Sequence, residues 1–225
     1  MTSFCLKIIA CITMFIDHVG YLVFKVKQSF FNYIGRISFP IFAFQIGEGY
    51  THTKNLKKYL FRLLAFAIIS QIPFYLYCNQ IFNNVGLNVF FTLLFGLISI
   101  IIYDKLSNKM ISIPLCICLA FIAEFAGFDY GFYGVIVVLL FYIFRNKKLL
   151  MNLAFILSTL IKYGYYIAKY KQLNKFPILC VWTISSLIFI NLYNKKQGKK
   201  IKYFLYIFYP VHLLIFYFLW KVLYL

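Results

Sequence analysis

Residues 11–24 form an apolar run that two adjacent ionisable residues, Asp17 and His18, interrupt. A charged side chain at the centre of a bilayer costs roughly 2.5–3.5 kcal/mol on insertion scales, so such residues mark an ion pair, a hydrogen-bonded anchor or a functional site. An imidazole can act as a general base or as a transient acyl carrier. We therefore interpret His18 as the candidate catalytic group. Asp17 points about 100° away from it on a helix, which leaves open whether it orients His18 or another partner.

Lys7 lies eleven residues before His18, a spacing close to three turns of an α-helix. The two side chains therefore share one helix face and lie roughly 16 Å apart along the axis. This separation resembles the reach of a pantetheine arm between a nucleotide phosphate and a thioester. The spacing predicts that Lys7 binds the phosphates of an acyl-coenzyme A while His18 lies at the thioester. The alternative is a Lys7 that extends to lipid headgroups and a histidine that belongs to the core.

Arg36 is the next candidate and lies in the second apolar segment, residues 30–50. If this segment forms an antiparallel hairpin with residues 4–24, Arg36 lies at the depth of His18, and Glu48 lies at the depth of Lys7. A guanidinium group at that depth could polarise the thioester carbonyl, stabilise an oxyanion or hold the acceptor. Glu48 is interpreted as a partner of Lys7 that helps insertion, and the alternative is a role in binding the substrate or shaping the site.

Polar residues of the later segments are candidates for shaping the same site. Tyr209 and His212 lie three residues apart, on one face of the last segment, where Pro210 can kink the helix toward a cavity. The alternative for His212 is a hydrogen bond to a neighbouring carbonyl group. Asn88 and Asp129 complete the candidate set, and Glu124 is either functional or a hydrogen-bonded anchor.

The composition places these residues in a membrane protein. The chain has 225 residues, of which 64% are hydrophobic and only 12% are charged, a balance typical of polytopic membrane proteins. We predict an all-α transmembrane bundle that forms a single domain over residues 1–225. Its first segment is expected to stay in the membrane rather than to be cleaved as a signal peptide. About nine spans, within a range of eight to ten, are predicted at residues 4–24, 30–50, 59–78, 88–103, 110–126, 131–144, 149–168, 176–193 and 203–222.

The basic residues predict orientation and partners. Lysines and arginines cluster at residues 54–62, 105–109, 145–148 and 195–202, on one side of the nine predicted spans. Fewer lie on the other side, at Lys25, Lys27, Lys221 and residues 169–175, and the last group opposes the assignment. The positive-inside rule puts the amino terminus in the cytoplasm and the carboxyl terminus outside. The net charge of +18 therefore suits contact with lipid headgroups and not nucleic acid. The six cysteines lack metal-ligand spacing, so we expect no metal.

Six sequence blocks carry a resemblance to a known family. The blocks are "LKIIACITMFIDHVG", "YIGRISFPIFAFQIGEGYTHTKN", "YLFRLLAFAIISQIPF", "NVFFTLLFG", "DYGFYGV" and "YIFYPVHLLI". In this order they resemble the TraX family of bacterial membrane proteins, whose best-known member acetylates the amino terminus of conjugative pilin. The family is also similar to wider membrane acyltransferases, which carry a basic residue and a histidine at the spacing of Lys7 and His18. That basic residue is usually arginine, and the arginine-pair loop of some relatives has only Arg36 as a counterpart here.

The resemblance implies a multi-pass acetyltransferase of the bacterial cytoplasmic membrane. It would move an acetyl group from cytoplasmic acetyl-CoA to an amine or hydroxyl of a peptide or glycan acceptor. A second hypothesis is a small proton-coupled transporter that uses Asp17, His18, Glu124 and His212 as a relay. A third is a membrane subunit of surface assembly without catalysis.

Overall fold

The computed structural model describes residues 1–24, 29–82, 85–199 and 203–224. Lys25, Lys27, Lys200 and Lys202, which entered the orientation prediction, lie outside this part of the chain. Over the described residues all regular structure is helical apart from one isolated bridge between Leu87 and Phe128. The helices are α1 (Ser3–Phe24), α2 (Phe30–Gly35), α3 (Ser38–His52), α4 (Leu56–Cys78), α5 (Val89–Lys105), α6 (Lys109–Phe125), α7 (Gly131–Ile143), α8 (Lys148–Tyr170), α9 (Phe176–Asn191) and α10 (Phe204–Tyr224). The all-α prediction is confirmed.

Each predicted segment coincides with a helix, except that the second one is divided in two. Among the described residues, four helices are long and apolar enough to cross a membrane: α1, α4, α8 and residues Tyr206–Tyr224 of α10. These four helices fit a membrane protein. Helices α7 and α9 are apolar but shorter, with 13 and 16 residues. The number of spans therefore stays a prediction.

The prediction of one helix over residues 30–50 is wrong, because the helix ends at Gly35 and a second helix starts at Ser38. Arg36 caps α2, and its N–H donates to Ile34 and Tyr33 carbonyl groups. Helix α3 starts two residues later, with Pro40 in its first turn, where the missing N–H of proline has no helical partner to lose. A Cβ atom at Gly35 would lie 2.4 Å from Asp17 Cβ. The break thus lets the short α2 approach α1 at the level of Asp17.

Residues 1–42 and 144–225 form one compact unit. In it α1 packs against α2 and α10, α8 packs against α9, and α2 also contacts α9. The start of α1 is bonded to the segment that follows α9: Ser3 N–H donates to the Lys196 carbonyl (2.9 Å) and Phe4 N–H to the Gln197 carbonyl (3.1 Å). At the far end of α1, the Tyr224 hydroxyl donates to the Leu22 carbonyl (2.9 Å).

Residues 43–143 form the second compact unit, in which α5, α6 and α7 pack on one another and α4 packs on α5. Asp104 lies in the last turn of α5. Its carboxylate accepts hydrogen bonds from the hydroxyls of Tyr50 (2.7 Å) and Tyr142 (2.6 Å), which joins the ends of α3, α5 and α7. The Glu124 carboxylate accepts the Phe132 N–H (2.8 Å) at the start of α7. This is the anchoring alternative that its position in the sequence allowed.

Two helical glycines give a matched test of this packing. A Cβ atom at Gly96 of α5 would lie 2.7 Å from Val138 Cβ of α7, whereas one at Gly164 of α8 would meet nothing within 4 Å. We expect Gly96→Ala to lower the free energy of unfolding by about 1–3 kcal/mol through overpacking. Gly164→Ala should leave it unchanged or raise it by up to about 1 kcal/mol through helix propensity. Thermal unfolding in detergent measures both, and equal effects would contradict the α5–α7 contact.

Candidate functional site

Asp17 and Arg36 form an ion pair at the contact between α1 and α2. Arg36 Nη2 donates to Asp17 Oδ1 (2.9 Å) and Oδ2 (3.1 Å). The side chains are only 13% and 21% exposed, for Asp17 and Arg36 respectively. Low exposure removes much of the water that would otherwise screen the pair, so each charge depends on the other for compensation. The partner that the sequence left open for Asp17 is therefore Arg36.

Asn32 holds both members of this pair, and sequence reasoning missed it. Its side chain is almost fully buried, at 1% exposure. Asn32 Nδ2 donates to the Asp17 carboxylate (3.0 Å) and to the Asp17 carbonyl (3.0 Å), while the Asn32 carbonyl accepts Arg36 Nε–H (3.1 Å). Asn32 Oδ1 accepts the Ser29 N–H (2.9 Å), as in a capping box. The spacing of Ser29 and Asn32 at a helix start was the signal available in the sequence.

His18 pairs with a residue from the far end of the chain. Its Nδ1 lies 2.8 Å from Nε2 of His212, and the two ring centroids are 4.9 Å apart. His212 Nδ1 in turn lies 2.7 Å from the Phe208 carbonyl oxygen, one turn earlier in α10. The structure thus brings together two of the sequence candidates, His18 and His212, across the contact between α1 and α10. The carbonyl bond proposed for His212 as an alternative is also present.

This chain of hydrogen bonds assigns a tautomer to each ring. A carbonyl oxygen only accepts, so His212 Nδ1 carries a proton and donates it to Phe208. In a neutral ring, His212 Nε2 then has a lone pair, and the His18 Nδ1–H donates to it. A neutral His18 with its proton on Nδ1 has its lone pair on Nε2. The network therefore directs the basic nitrogen of His18 away from His212.

Aromatic rings cover the histidine pair. Phe208 stacks on His212 with centroids 4.7 Å apart, and Tyr209 meets His212 edge-on at 5.7 Å. Phe216 lies 5.9 Å from His212 and 6.4 Å from His18. These rings limit the access of water from that side, which strengthens electrostatic interactions at the imidazoles. Tyr209 is buried and meets His212, with which its spacing predicted a shared helix face.

The remaining candidates do not gather around this pair in the contacts described. Lys7 is half-buried in α1, three turns before His18. Asn88 is fully buried in the second unit, where it caps α5 and donates to the Ala67 carbonyl (2.7 Å) and to Gln71 Oε1 (2.8 Å). Such bonds between helices are a structural role for Asn88.

Asp129 and Glu48 also belong to the second unit and take part in backbone hydrogen bonds. Asp129 N–H donates to the Leu87 carbonyl (2.7 Å), and its carbonyl accepts the Thr92 hydroxyl. The Glu48 carbonyl accepts the Thr51 hydroxyl (2.9 Å). Their part in a functional site stays a prediction. In the described ranges, no three His, Cys, Asp or Glu side chains group so that they could hold a metal ion.

Comparison with known proteins identifies the family. The model of the family described as TraX protein matches residues 3–220, which include α1, the histidine pair and the Asp17–Arg36 pair. The chain belongs to the TraX family. The chain is also similar to the probable fimbrial assembly protein FimC, serogroup H1, of Dichelobacter nodosus. The two are 31% identical over 235 aligned residues, which cover 94% of this chain and 93% of that protein.

No solved structure matches the chain. For this TraX protein, the resemblance noted in its sequence blocks is thus confirmed over nearly the whole length. The match starts at Ser3, the first residue of α1, and ends within α10 at Trp220. The histidine pair, which joins these two terminal helices, therefore lies inside the region that defines the family.

A double-mutant cycle tests the ion pair of this TraX protein. Asp17→Asn and Arg36→Gln should each destabilise the protein, because each leaves a partly buried charge without its partner. The double variant should lose less than the sum, with a coupling energy of about 1–3 kcal/mol in thermal or denaturant unfolding. Asp17→Asn combined with Lys148→Gln is the control cycle, for which additivity is expected. Additivity in both cycles would contradict the pair.

Proposed function

We propose that this TraX protein is a membrane acetyltransferase that moves an acetyl group from acetyl-CoA to an amine or hydroxyl of an exported or cell-surface acceptor. The observation that carries the proposal is the His18–His212 hydrogen bond, which directs the His18 Nε2 lone pair away from its partner ring. Family membership supports acetylation, and the name of the relative from Dichelobacter nodosus supports a place in fimbrial assembly. The acceptor is a peptide amino terminus, as in pilin, or a glycan hydroxyl.

In the proposed step, the acceptor amine or hydroxyl attacks the thioester carbonyl carbon while its proton passes to His18 Nε2. The tetrahedral oxyanion then collapses, the carbon–sulfur bond breaks, and the thiolate of CoA takes the proton from His18. His18 acts here as a general base and then as a general acid, and its use as an acyl carrier is the alternative. The His18 Nδ1–H keeps its hydrogen bond to His212 Nε2 while His18 Nε2 gains and then loses the proton.

Arg36 would stabilise the oxyanion or hold the acceptor, with its guanidinium oriented by Asp17 and Asn32. The Asp17 carboxylate already neutralises part of the Arg36 charge. Arg36 is therefore better suited to orienting the acceptor or the thioester than to strong binding of a phosphate. Lys7 would bind the CoA phosphates, three turns from His18 on the same helix. Tyr209, which meets His212 edge-on, keeps its proposed role in shaping the site. A role for Glu48, Asn88 and Asp129, which belong to the second unit, stays a prediction.

We also propose nine spans, a single functional domain over residues 1–225 and a cytoplasmic amino terminus in the bacterial cytoplasmic membrane. The hydrogen bonds from Ser3 and Phe4 to the segment after α9 support an even number of crossings between the two. Helices α1 to α9 supply eight if α2 and α3 together make one crossing, and α10 makes the ninth. This orientation puts Lys7 on the side where acetyl-CoA is available and leaves the far side for the acceptor.

No observation favours the proton-coupled transporter over acetyl transfer. Its proposed relay included Glu124, and that carboxylate accepts the Phe132 N–H at the start of α7.

Partner lipids are expected at the apolar outer faces of the helices.

Titration of the purified protein with acetyl-CoA tests the proposed function. A ligand that binds only the folded state stabilises it, by about 2.7 kcal/mol at one hundred times its Kd. We expect the thermal unfolding midpoint to rise with acetyl-CoA and not with acetyl phosphate. The absence of any CoA-dependent stabilisation and of thioester turnover would overturn the acetyltransferase assignment.

The three histidines give matched variants for the chemistry. His18→Ala should lower transfer by about 10²–10⁴-fold, since it removes the general base. His212→Phe should cause a smaller loss, because His18 keeps its nitrogen but loses the partner that sets its tautomer. His52→Ala, at an exposed position at the end of α3, should leave transfer unchanged. Acetylated product is measured by mass spectrometry in cells that carry each variant, and full activity of His18→Ala would contradict the catalytic assignment.

A further inference from the structure

We propose that the segment after α9, residues 194–199, together with Lys7, binds the phosphate groups of the acyl-CoA nucleotide. The segment carries Lys195, Lys196 and Lys199, all exposed, and is called the lysine loop here. The inference rests on the proposed function and specifies which part of the chain recognises the nucleotide end of the donor.

The lysine loop has a defined conformation on the first turn of α1. Three main-chain hydrogen bonds attach it: Ser3 N–H to the Lys196 carbonyl (2.9 Å), Phe4 N–H to the Gln197 carbonyl (3.1 Å), and Asn194 N–H to the Met1 carbonyl (2.8 Å). A loop that only kept its lysines in contact with lipid headgroups would not need this attachment.

Gly198 makes the attachment possible. Its φ of +72° lies in the left-handed region that favours glycine. A Cβ atom there would lie 2.6 Å from Thr2 Oγ1 and 3.0 Å from Phe4 Cβ. The loop backbone therefore approaches the start of α1 more closely than a side chain at this position would allow.

The attachment brings the lysine loop close to Lys7. Ser3 and Lys7 are four residues apart on α1, so they share a face and lie roughly 6 Å apart along the axis. The Lys196 carbonyl is bonded to Ser3, so the backbone of Lys196 lies near the first turns of α1. A lysine side chain is long and flexible, and those of Lys196 and Lys7 can therefore both reach one multiply charged anion. The Lys148 ammonium group lies close to the start of the lysine loop, since its Nζ donates to the carbonyl of Asn191, the last residue of α9 (2.8 Å).

The charge balance of this unit indicates an external anion. Asp17 is the only acidic residue in residues 1–42 and 144–225, and its carboxylate already pairs with Arg36. The side chains of this unit therefore supply no second carboxylate for the lysine loop. Phosphates are strong partners for clustered cations because their hydrogen bonds are charge-assisted. With the phosphates bound here, the pantetheine arm would extend along α1 from Lys7 to His18, a distance of roughly 16 Å, and bring the thioester to His18.

Three ligands with decreasing phosphate content test the inference: CoA, dephospho-CoA and pantetheine. They are titrated against the protein in phosphatidylcholine nanodiscs, with thermal unfolding as the readout. The variant Lys195→Gln/Lys196→Gln/Lys199→Gln should weaken CoA binding by about tenfold or more, dephospho-CoA less, and pantetheine not at all. The matched control, Lys54→Gln/Lys57→Gln/Lys58→Gln, removes three exposed lysines from the second unit and should change none of the three affinities.

Gly198→Ala moves the lysine loop without removing a charge, so it should weaken CoA binding in the same phosphate-dependent way. Unchanged CoA affinity in the loop variants, with normal binding by the unmodified protein, would overturn this inference and leave the proposed function intact. An equal loss in the control variant would also overturn it, because general surface charge would then explain the effect. Failure of the unmodified protein to bind CoA would overturn both proposals.

Discussion

The Asp17–Arg36 ion pair is the constraint on which the arrangement of α1 and α2 depends. Two partly buried charges are tolerated only when they are close and share hydrogen bonds, and here Asn32 supplies those bonds to both. The pair requires close contact between the helices, which glycines permit. A Cβ atom at Gly20 would lie 2.7 Å from Phe31 Cβ, and one at Gly35 would collide with Asp17. The break after Gly35 allows this contact, which lies at the level of His18, the residue after Asp17.

The histidine pair fixes the orientation of the His18 ring in the candidate site, beside the Asp17–Arg36 ion pair. Asp17 and Arg36 hold the α2 side of α1, while His212 holds the α10 side, so α1 is bound on two faces at the same level. The i−4 carbonyl of Phe208 fixes the His212 ring within its own helix. A base whose tautomer is already set needs less reorientation to reach the transition state, which lowers the activation free energy. In the proposed function, this preorganisation adds to the general-base chemistry of His18.

Much of the helix pattern could be predicted from the sequence, because apolar runs of spanning length end at charged or polar loops. The break at Arg36 could not, since a proline alone does not decide it: Pro73 and Pro210 lie inside continuous helices, whereas Pro40 lies in the first turn of a new one. The assumption of an antiparallel hairpin placed Arg36 at the depth of His18, but it could not decide whether Asp17 or His18 contacts Arg36. Asp17 is the partner in contact because opposite charges attract. The His18–His212 contact joins residues 194 positions apart, and no spacing rule reaches that far. Asn32 was missed because an asparagine in an apolar segment carries no signal of what it binds.

The separation of 19 residues between Asp17 and Arg36 has a consequence for biogenesis. During synthesis, α1 enters the membrane with an uncompensated carboxylate until α2 follows. Each unpaired charge costs roughly 2.5–3.5 kcal/mol at the bilayer centre, so α1 would insert less favourably alone than together with α2. The first two helices are then an insertion unit as well as part of a site. By pairing Asp17, Arg36 would therefore serve the insertion of α1 before it serves any reaction.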